Sequence, residues 1–226
     1  MSIDVLDKGY VRLVDFMGSD LSIVNAARVS YDKESHDFSS RDEHLLDILL
    51  TEGHVSPLRH AAITYEVYAP LFVARQWWKY AVGSSHVDDQ VGWNESSRRY
   101  ITEHEEFYIP DKWRLKPENS KQGSGDDMSV IDSIKWTSGL VRNYERCARA
   151  YYEALDAGIA PEQARLFLPA YGMYVRWRWT ASLAAVVHFL QQRLEDDSQF
   201  EIRQYAGAVR ELTGPMFPVV FEKGGL

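Results

Sequence analysis

Between Gln163 and Leu194 the chain has no aspartate or glutamate, yet it carries Arg165, Arg176, Arg178 and Arg193. The molecule as a whole has a net charge of −8, so four guanidinium groups in an acid-free stretch stand out. A guanidinium fork matches the oxygens of phosphate or carboxylate, and these arginines suit an anionic ligand. Pairing with distant acids, or a plain surface position, is the alternative. A second constellation is Trp93-Asn94-Glu95-Ser96-Ser97-Arg98-Arg99-Tyr100. If extended, it puts Glu95, Ser97 and Arg99 on one face, because strand side chains alternate. That set suits a nucleotide monophosphate, with Arg99 and Ser97 on phosphate and Glu95 on a donor; a solvated strand face is the competing account. The third is Ala74-Arg75-Gln76-Trp77-Trp78-Lys79-Tyr80. On a helix, Gln76 and Arg75 both lie near Lys79, and the two cations repel unless an anion sits over them. Trp77 and Trp78 are expected in the core.

Other chemistries find no support. His44, His54 and His60 lack a metal-ligand spacing, and neither GxGxxG nor GxxxxGK[ST] occurs. Cys147 lies in a predicted helix and is expected to be a buried, inert thiol. As the sole cysteine it forms no internal disulfide, which makes a reducing cytoplasm the expected location.

These residues need a frame. Ile3, Val5, Val11, Leu13 and Val14 around Asp7-Lys8-Gly9 predict two short strands and a turn. Ser19-Asp20 predicts a cap for a helix over Leu21 to Val29, and a second helix is expected from Asp42 to Thr51 with Gly53 past its end. Gly53 to Pro57 reads as a loop, and Ile63, Tyr65 and Val67 as one face of a strand. Pro70 suits the first turn of a helix from Leu71 to Tyr80. Residues 83–93 read as a loop and 116–127 as the stretch least inclined to order. A long helix is expected over Ser129 to Ala157 with Gly158 at its cap, then a short one from Pro161 to about Pro169. Val175, Trp177 and Trp179 alternate as a strand. A helix over Ala181 to Leu194 follows, and Ser198 with Glu201 resembles a capping box for the final helix. Without regular βαβ alternation the class is α+β, an antiparallel or mixed sheet packed with long helices.

The length of 226 residues leaves one large domain or two small ones open. Apolar residues at 45% and charged ones at 26% are a normal globular balance. No apolar run approaches the roughly 20 residues of a membrane span. The acidic balance speaks against general nucleic-acid binding, which needs a basic surface.

Asn94-Glu95-x-Ser97-x-Arg99-Tyr100, preceded by Phe72-Val73-Ala74-Arg75-Gln76-Trp77, resembles the signature of the flavin-dependent thymidylate synthases. Ala26-Ala27-Arg28-Val29-Ser30, Gly53-His54-x-Ser56-Pro57, Phe107-Tyr108-Ile109-Pro110, Ala164-Arg165-x-x-Leu168-Pro169 and Phe189-Leu190-x-x-Arg193 match in the family's order and span nearly the whole chain. The resemblance implies a single domain over residues 1–226 with that family's fold, and a homotetramer holding FAD, dUMP and a folate near subunit interfaces. It implies reductive methylation of dUMP to dTMP, with 5,10-methylenetetrahydrofolate as carbon donor, NADPH as reductant and no enzyme cysteine. Carried over by position, Gln76, Lys79, Glu95, Ser97, Arg98, Arg99, Arg165 and Arg193 would contact dUMP. Arg98 stands where a small residue is usual. Arg193 would be the catalytic residue, a fixed cation that favours the N3-ionised uracil. His54, Ser56, Lys79, Tyr80, Ala81, Glu95, Ser182 and His188 would face FAD.

Two regions depart from the pattern. Lys79-Tyr80-Ala81 aligns with the family's Arg-His-Arg, and a longer stretch, 82–93, follows it. Ser182, Ala184 and His188 stand where Asn, Arg and Asn are usual. Lys79, together with Ser84, Ser85 and His86 of the added stretch, is expected to replace the lost phosphate partners. Tyr80 is expected to stack on an aromatic ring and His188 to donate a hydrogen bond. The alternative reading is a dUMP-binding relative that has lost flavin chemistry. A single-stranded nucleic-acid binder fits the local Trp and Arg but not the overall charge.

Overall fold

The computed structural model describes residues 1–82, 92–97, 99–101, 105–117 and 123–226, with the backbone alone at 81 and 82. Strands β1 (Ser2–Val5) and β2 (Gly9–Met17) form the expected N-terminal hairpin. Helix α1 (Asp20–Arg28) begins at the Ser19 cap, and α2 (Ser40–Thr51) begins where Ser39 and Asp42 cap each other. Strand β3 (Ala62–Pro70) runs directly into α3 (Leu71–Trp77) and α4 (Lys79–Val82). There follow β4 (Gly92–Glu95), α5 (Val130–Asp156), α6 (Pro161–Ala164), β5 (Tyr174–Ser182), α7 (Leu183–Arg193), α8 (Phe200–Thr213) and α9 (Pro218–Lys223).

The fold is α+β. The sheet has the order β1-β2-β3-β5-β4, and every pairing is antiparallel. The central pairing registers Ala62 with Ser182 through to Pro70 with Tyr174. Alternation then turns Ile63, Tyr65, Val67, Trp177 and Trp179 to one fully covered face. Trp77 from α3 fills that face. Its ring stacks on Phe189 of α7 at 4.5 Å and meets Trp177 and Trp179 edge-on at 5.5 and 5.4 Å. Such aromatic pairs add about 0.5–1.5 kcal/mol each beyond area burial. The core therefore fixes α3 against α7, the two helices that carry Gln76 and Arg193. The opposite sheet face is polar: Glu66 pairs with Arg12 at 3.0 Å and with Arg178 at 3.5 Å.

Gly9 makes the close approach between hairpin and α8. A Cβ there would lie 1.8 Å from the Tyr205 hydroxyl oxygen and 2.6 Å from the Tyr68 carbonyl oxygen. The Tyr205 hydroxyl donates to that same carbonyl at 2.9 Å. Gly9→Ala is expected to cost about 1–3 kcal/mol as an overpacked site. A urea titration with an unchanged midpoint would count against this reading.

Several expectations are corrected. The 83–93 loop lies outside the described residues as far as 91, but Gly92 and Trp93 belong to β4, paired with Thr180 and Trp179. The helix from Leu71 to Tyr80 is interrupted at Trp78, whose N–H still bonds Ala74 O at 2.8 Å. Trp78 is 46% exposed and not in the core, because Trp77 and Tyr80 take the inward positions. Ala181 and Ser182 end β5 instead of opening α7, since the ladder to Ile63 and Ala62 holds them extended. The Ser198–Glu201 capping box does not form. Glu201 accepts from Arg114 at 2.6 Å, and Ser198 donates to Gln192 O at 2.9 Å. A charge-assisted bond outcompetes a neutral cap. Cys147 is only half-buried. In the 116–127 stretch, residues 118–122 lie outside the described set, while Arg114 and Asp127 pair as an isolated bridge.

Candidate active site

The interruption at Trp78 sets the directions of the two cations expected side by side. The Arg75 guanidinium lies over the Trp78 ring at 5.6 Å, and the Lys79 ammonium over the Tyr80 ring at 5.8 Å. Arg75 and Lys79 therefore do not share an anion in the manner expected of one helix. Lys79 is instead coupled to Arg193, at the end of α7. Partial desolvation, and behind it the Arg193 charge, holds the Lys79 ammonium below its ordinary pKa. Arg193 Nε donates to the Tyr80 hydroxyl at 2.8 Å, and its guanidinium carbon lies 5.4 Å from the same ring. Tyr80 is buried, which raises its pKa against the opposing pull of Arg193.

Gln76, Lys79, Gln192 and Arg193 line an open cavity of about 750 Å³. Glu195, Asp196 and Asp197 stand on the same rim, and Asp196 is engaged by Arg203 at 3.2 Å. Gln76 is held by a relay. Its amide donates to Gln199 at 2.6 Å, and Gln199 donates at 2.8 Å to Glu201, the partner of Arg114. Burial alone would raise the Glu201 pKa, but the Arg114 and Gln199 bonds outweigh it and the carboxyl titrates low.

Tyr80 lines a second cavity, of about 380 Å³, with Val55, Arg59, Ala184, His188 and Lys223 among its walls. His188 lies 5.7 Å, ring to ring, from Tyr80. Nε and Nη2 of Arg59 are buried and have no hydrogen-bond partner among the described residues. The Tyr80 and His188 rings and the Arg59 guanidinium thus border the same cavity.

The chain matches the family described as thymidylate synthase complementing protein over residues 12–219. It is 38% identical to the flavin-dependent thymidylate synthase of Thermotoga neapolitana, over 98% of this chain and 93% of that one. It is 39% identical to that of Thermus thermophilus, over 98% of this chain and 77% of the other. The chain belongs to the flavin-dependent thymidylate synthase family. The fold agrees. A UMP/dUMP methylase, PolB, from Streptomyces cacaoi bound with 5-Br dUMP superposes with a TM-score of 0.81 at 31% identity, covering 98% of this chain and 96% of that chain.

The residues singled out from sequence fall into separate groups. Gln76, Lys79, Tyr80, His188 and Arg193 come together around the two cavities. His54 and Ser56 are exposed and flank Val55, which lines the smaller cavity. Ser182 is buried, and its hydroxyl caps α7 by accepting the Ala185 N–H at 3.2 Å. Glu95 ends β4, where desolvation raises its carboxyl pKa while the Trp93 indole and the Arg75 charge pull it down. The chain does not stay extended beyond β4: Tyr100 N bonds Ser97 O at 3.0 Å, a turn. Ser97 and Arg99 meet through that turn, Arg99 Nε donating to Ser97 Oγ at 3.3 Å, and not through a shared strand face. Arg165 is exposed on a 3-10 turn beside α5, its Nε bonded to Glu162 O at 3.1 Å. Of the four acid-free arginines, Arg193 alone is among the described residues that line these two cavities. Arg176 and Arg178 lie on the polar sheet face near Glu66. Arg98, Ser84, Ser85 and His86 lie outside the described residues, and at Ala81 only the backbone is described.

Sequence reasoning missed Gln199 and Arg59. Gln199 had no signal, since its contact with Gln76 spans the whole middle of the chain. Arg59 had one, because no acid lies between Glu52 and Glu66, the same pattern that drew attention to Arg193.

Proposed function

We propose that this chain is an FAD-dependent thymidylate synthase that methylates dUMP reductively, with 5,10-methylenetetrahydrofolate as carbon donor and NADPH as reductant. The observation that carries the reading is the common wall: the Tyr80–Arg193 pair separates a polar, open cavity from a smaller one with aromatic and cationic sides. Two ligands bound on either side of such a wall lie next to one another, as a nucleotide and a flavin must. Bound flavin would supply the hydride. Lys79 and Gln76 would hold the nucleotide, Gln76 with its orientation set by Gln199. Arg193 would place a fixed cation beside the pyrimidine, which favours the ring anion and leaves C5 more nucleophilic. Tyr80 accepts from Arg193 Nε and so positions the guanidinium. Tyr80 and His188 would flank the flavin ring.

Ser97, Arg99 and Arg165 are exposed or half-exposed in the single chain. This supports a homotetramer in which they complete a neighbour's site. Val130, Ile131, Ile134 and Trp136 of α5 are also exposed, an apolar patch of the kind that marks an interface.

The test is an absorbance spectrum of purified protein, followed by anaerobic NADPH addition with and without dUMP. A flavin spectrum that NADPH bleaches, with dTMP formed once folate is added, is expected. Colourless protein that binds dUMP but takes up no FAD would establish the alternative, a relative without flavin chemistry. The Streptomyces cacaoi protein is described as a UMP/dUMP methylase, so UMP is run in parallel to define the sugar.

A further inference from the structure

The relay that holds Gln76 also decides which end of its amide is left for a ligand. Its anchor is Glu201, in the first turn of α8 and 3% exposed. Arg114 Nη2 donates to Glu201 Oε1 at 2.6 Å, and the Tyr108 hydroxyl donates to the same oxygen at 3.2 Å. A carboxylate paired with a guanidinium only accepts, so the group that meets its second oxygen must be a donor. That group is the Gln199 amide nitrogen, 2.8 Å from Oε2. The Gln199 carbonyl therefore faces the other way, where it accepts from the Gln76 amide nitrogen at 2.6 Å. One buried charge thus fixes the sense of two successive amides. Gln199 immediately precedes α8, yet its side chain does not cap that helix and is given over to the relay. Gln76 lines the larger cavity, and its carbonyl oxygen accepts from no other group among the described residues. The rim is polarised as well. Lys79 and Arg193 are cationic, whereas Glu195, Asp196 and Asp197 lie just ahead of Gln199 in sequence. Carboxylates and a carbonyl oxygen repel a phosphate but accept from a hydroxyl.

We infer that Gln199 is a positioning residue: anchored by Glu201 and Arg114, it turns the Gln76 carbonyl oxygen to the sugar hydroxyl of the nucleotide. The inference rests on the nucleotide reading above and gives the Gln76 contact a definite partner. Elimination names the hydroxyl. A uridine monophosphate has two kinds of neutral donor, the ring N3–H and the sugar hydroxyls. Arg193 favours the N3-ionised ring, which has given up that proton, so the hydroxyl remains. The phosphate is then left to the cationic side of the cavity.

The experiment titrates wild type and Gln199→Met calorimetrically with dUMP, with its 3′-deoxy form and with 2′-deoxyuridine. Wild type should bind dUMP about fivefold more tightly than the 3′-deoxy form, the worth of one hydrogen bond between neutral groups. In Gln199→Met the two should bind within about twofold of each other, because a Gln76 amide free to turn no longer holds its acceptor in place. The preference for dUMP over 2′-deoxyuridine, which keeps the hydroxyl and lacks the phosphate, should change by no more than the lost hydroxyl contact accounts for, since that contact is common to both ligands. Equal binding of dUMP and its 3′-deoxy form by wild type would overturn the inference. So would the wild-type ratio kept in the variant, which would leave Gln199 a structural role at most. A variant that instead loses its preference for dUMP over 2′-deoxyuridine would show that the relay serves the phosphate, and would also overturn it. Gln199→Ala repeats the test if Gln199→Met does not fold. If wild type binds none of the three ligands, the nucleotide reading fails and the inference falls with it; dUMP bound without regard to the hydroxyl ends the inference alone.

Discussion

Replacing Arg193 with alanine is expected to lower turnover at least about a hundredfold, the usual penalty for removing a donor aimed at developing negative charge. The variant should remain folded. Arg193 is only half-buried, and its single hydrogen bond among the described residues goes to Tyr80. The nitrogens Nη1 and Nη2 are thus free to reach the larger cavity. With the guanidinium gone, the ring anion loses its fixed partner, and the Lys79 ammonium loses a repelling neighbour. Arg193→Lys should recover only part of the activity, because a point charge cannot both hold Tyr80 and present a second donor. Steady-state kinetics with dUMP and a thermal melt settle the point. Turnover within twofold of wild type in a folded Arg193→Ala protein would remove Arg193 from the chemistry.

The largest effect on stability is expected at Asp42, far from either cavity. Its carboxylate is 1% exposed and bonds Arg28 at 2.6 Å, Ser35 Oγ at 2.8 Å and Ser39 N at 2.9 Å. It ties the last turn of α1 to the start of α2. Asp42→Ala leaves Arg28 unpaired and α2 without its cap, a loss of about 3 kcal/mol by comparison with other broken buried pairs. The same residue sets a pH dependence. Burial alone would raise the Asp42 pKa, but the bonds from Ser39, Ser35 and Arg28 outweigh it and hold the value at about 2. The folded pKa lies below the unfolded one, so the unfolded chain binds the extra proton. The contribution, about 2 kcal/mol, is therefore complete above pH 4 and lost as pH falls toward 2. Urea midpoints across that window should fall in wild type and fall less in Asp42→Ala. Parallel curves would show that Asp42 is not the titrating group.

Most elements could be read in the sequence because their signals are local. Ser19 before Asp20, Gly53 after Thr51, and the alternation of Ile63, Tyr65 and Val67 need nothing beyond a few neighbours. Misreadings arose where a distant partner won. Ser198 and Glu201 have the spacing of a cap, but Arg114 takes the carboxylate from 87 positions away. Ala181 and Ser182 look helical from their own neighbours and are held extended by β3. Helix α9 escaped notice because Asp20 caps it, accepting Val219 N at 2.9 Å. The site divides in the same way. Gln76, Lys79 and Arg193 have types and spacings that suggest anion chemistry, and the fold brings them together. Ser97, Arg99 and Arg165 carry equally plain motifs, yet one chain leaves them outside that group, since periodicity speaks only to neighbours on the same element. Arg59 lies in an acid-free stretch of its own, but its place beside the smaller cavity shows only in the fold.

The β3–β5 ladder joins residues 62–70 to residues 174–182, and Tyr80 follows the first of these strands while Arg193 closes the helix after the second. Everything between them must be spooled into a closed loop before the ladder can zip, an entropic toll that slows folding of non-local sheets. Neither half of the chain can build the partition alone. During synthesis, ligand affinity should therefore emerge abruptly and late, once β5 and α7 have docked, instead of accumulating as each helix appears.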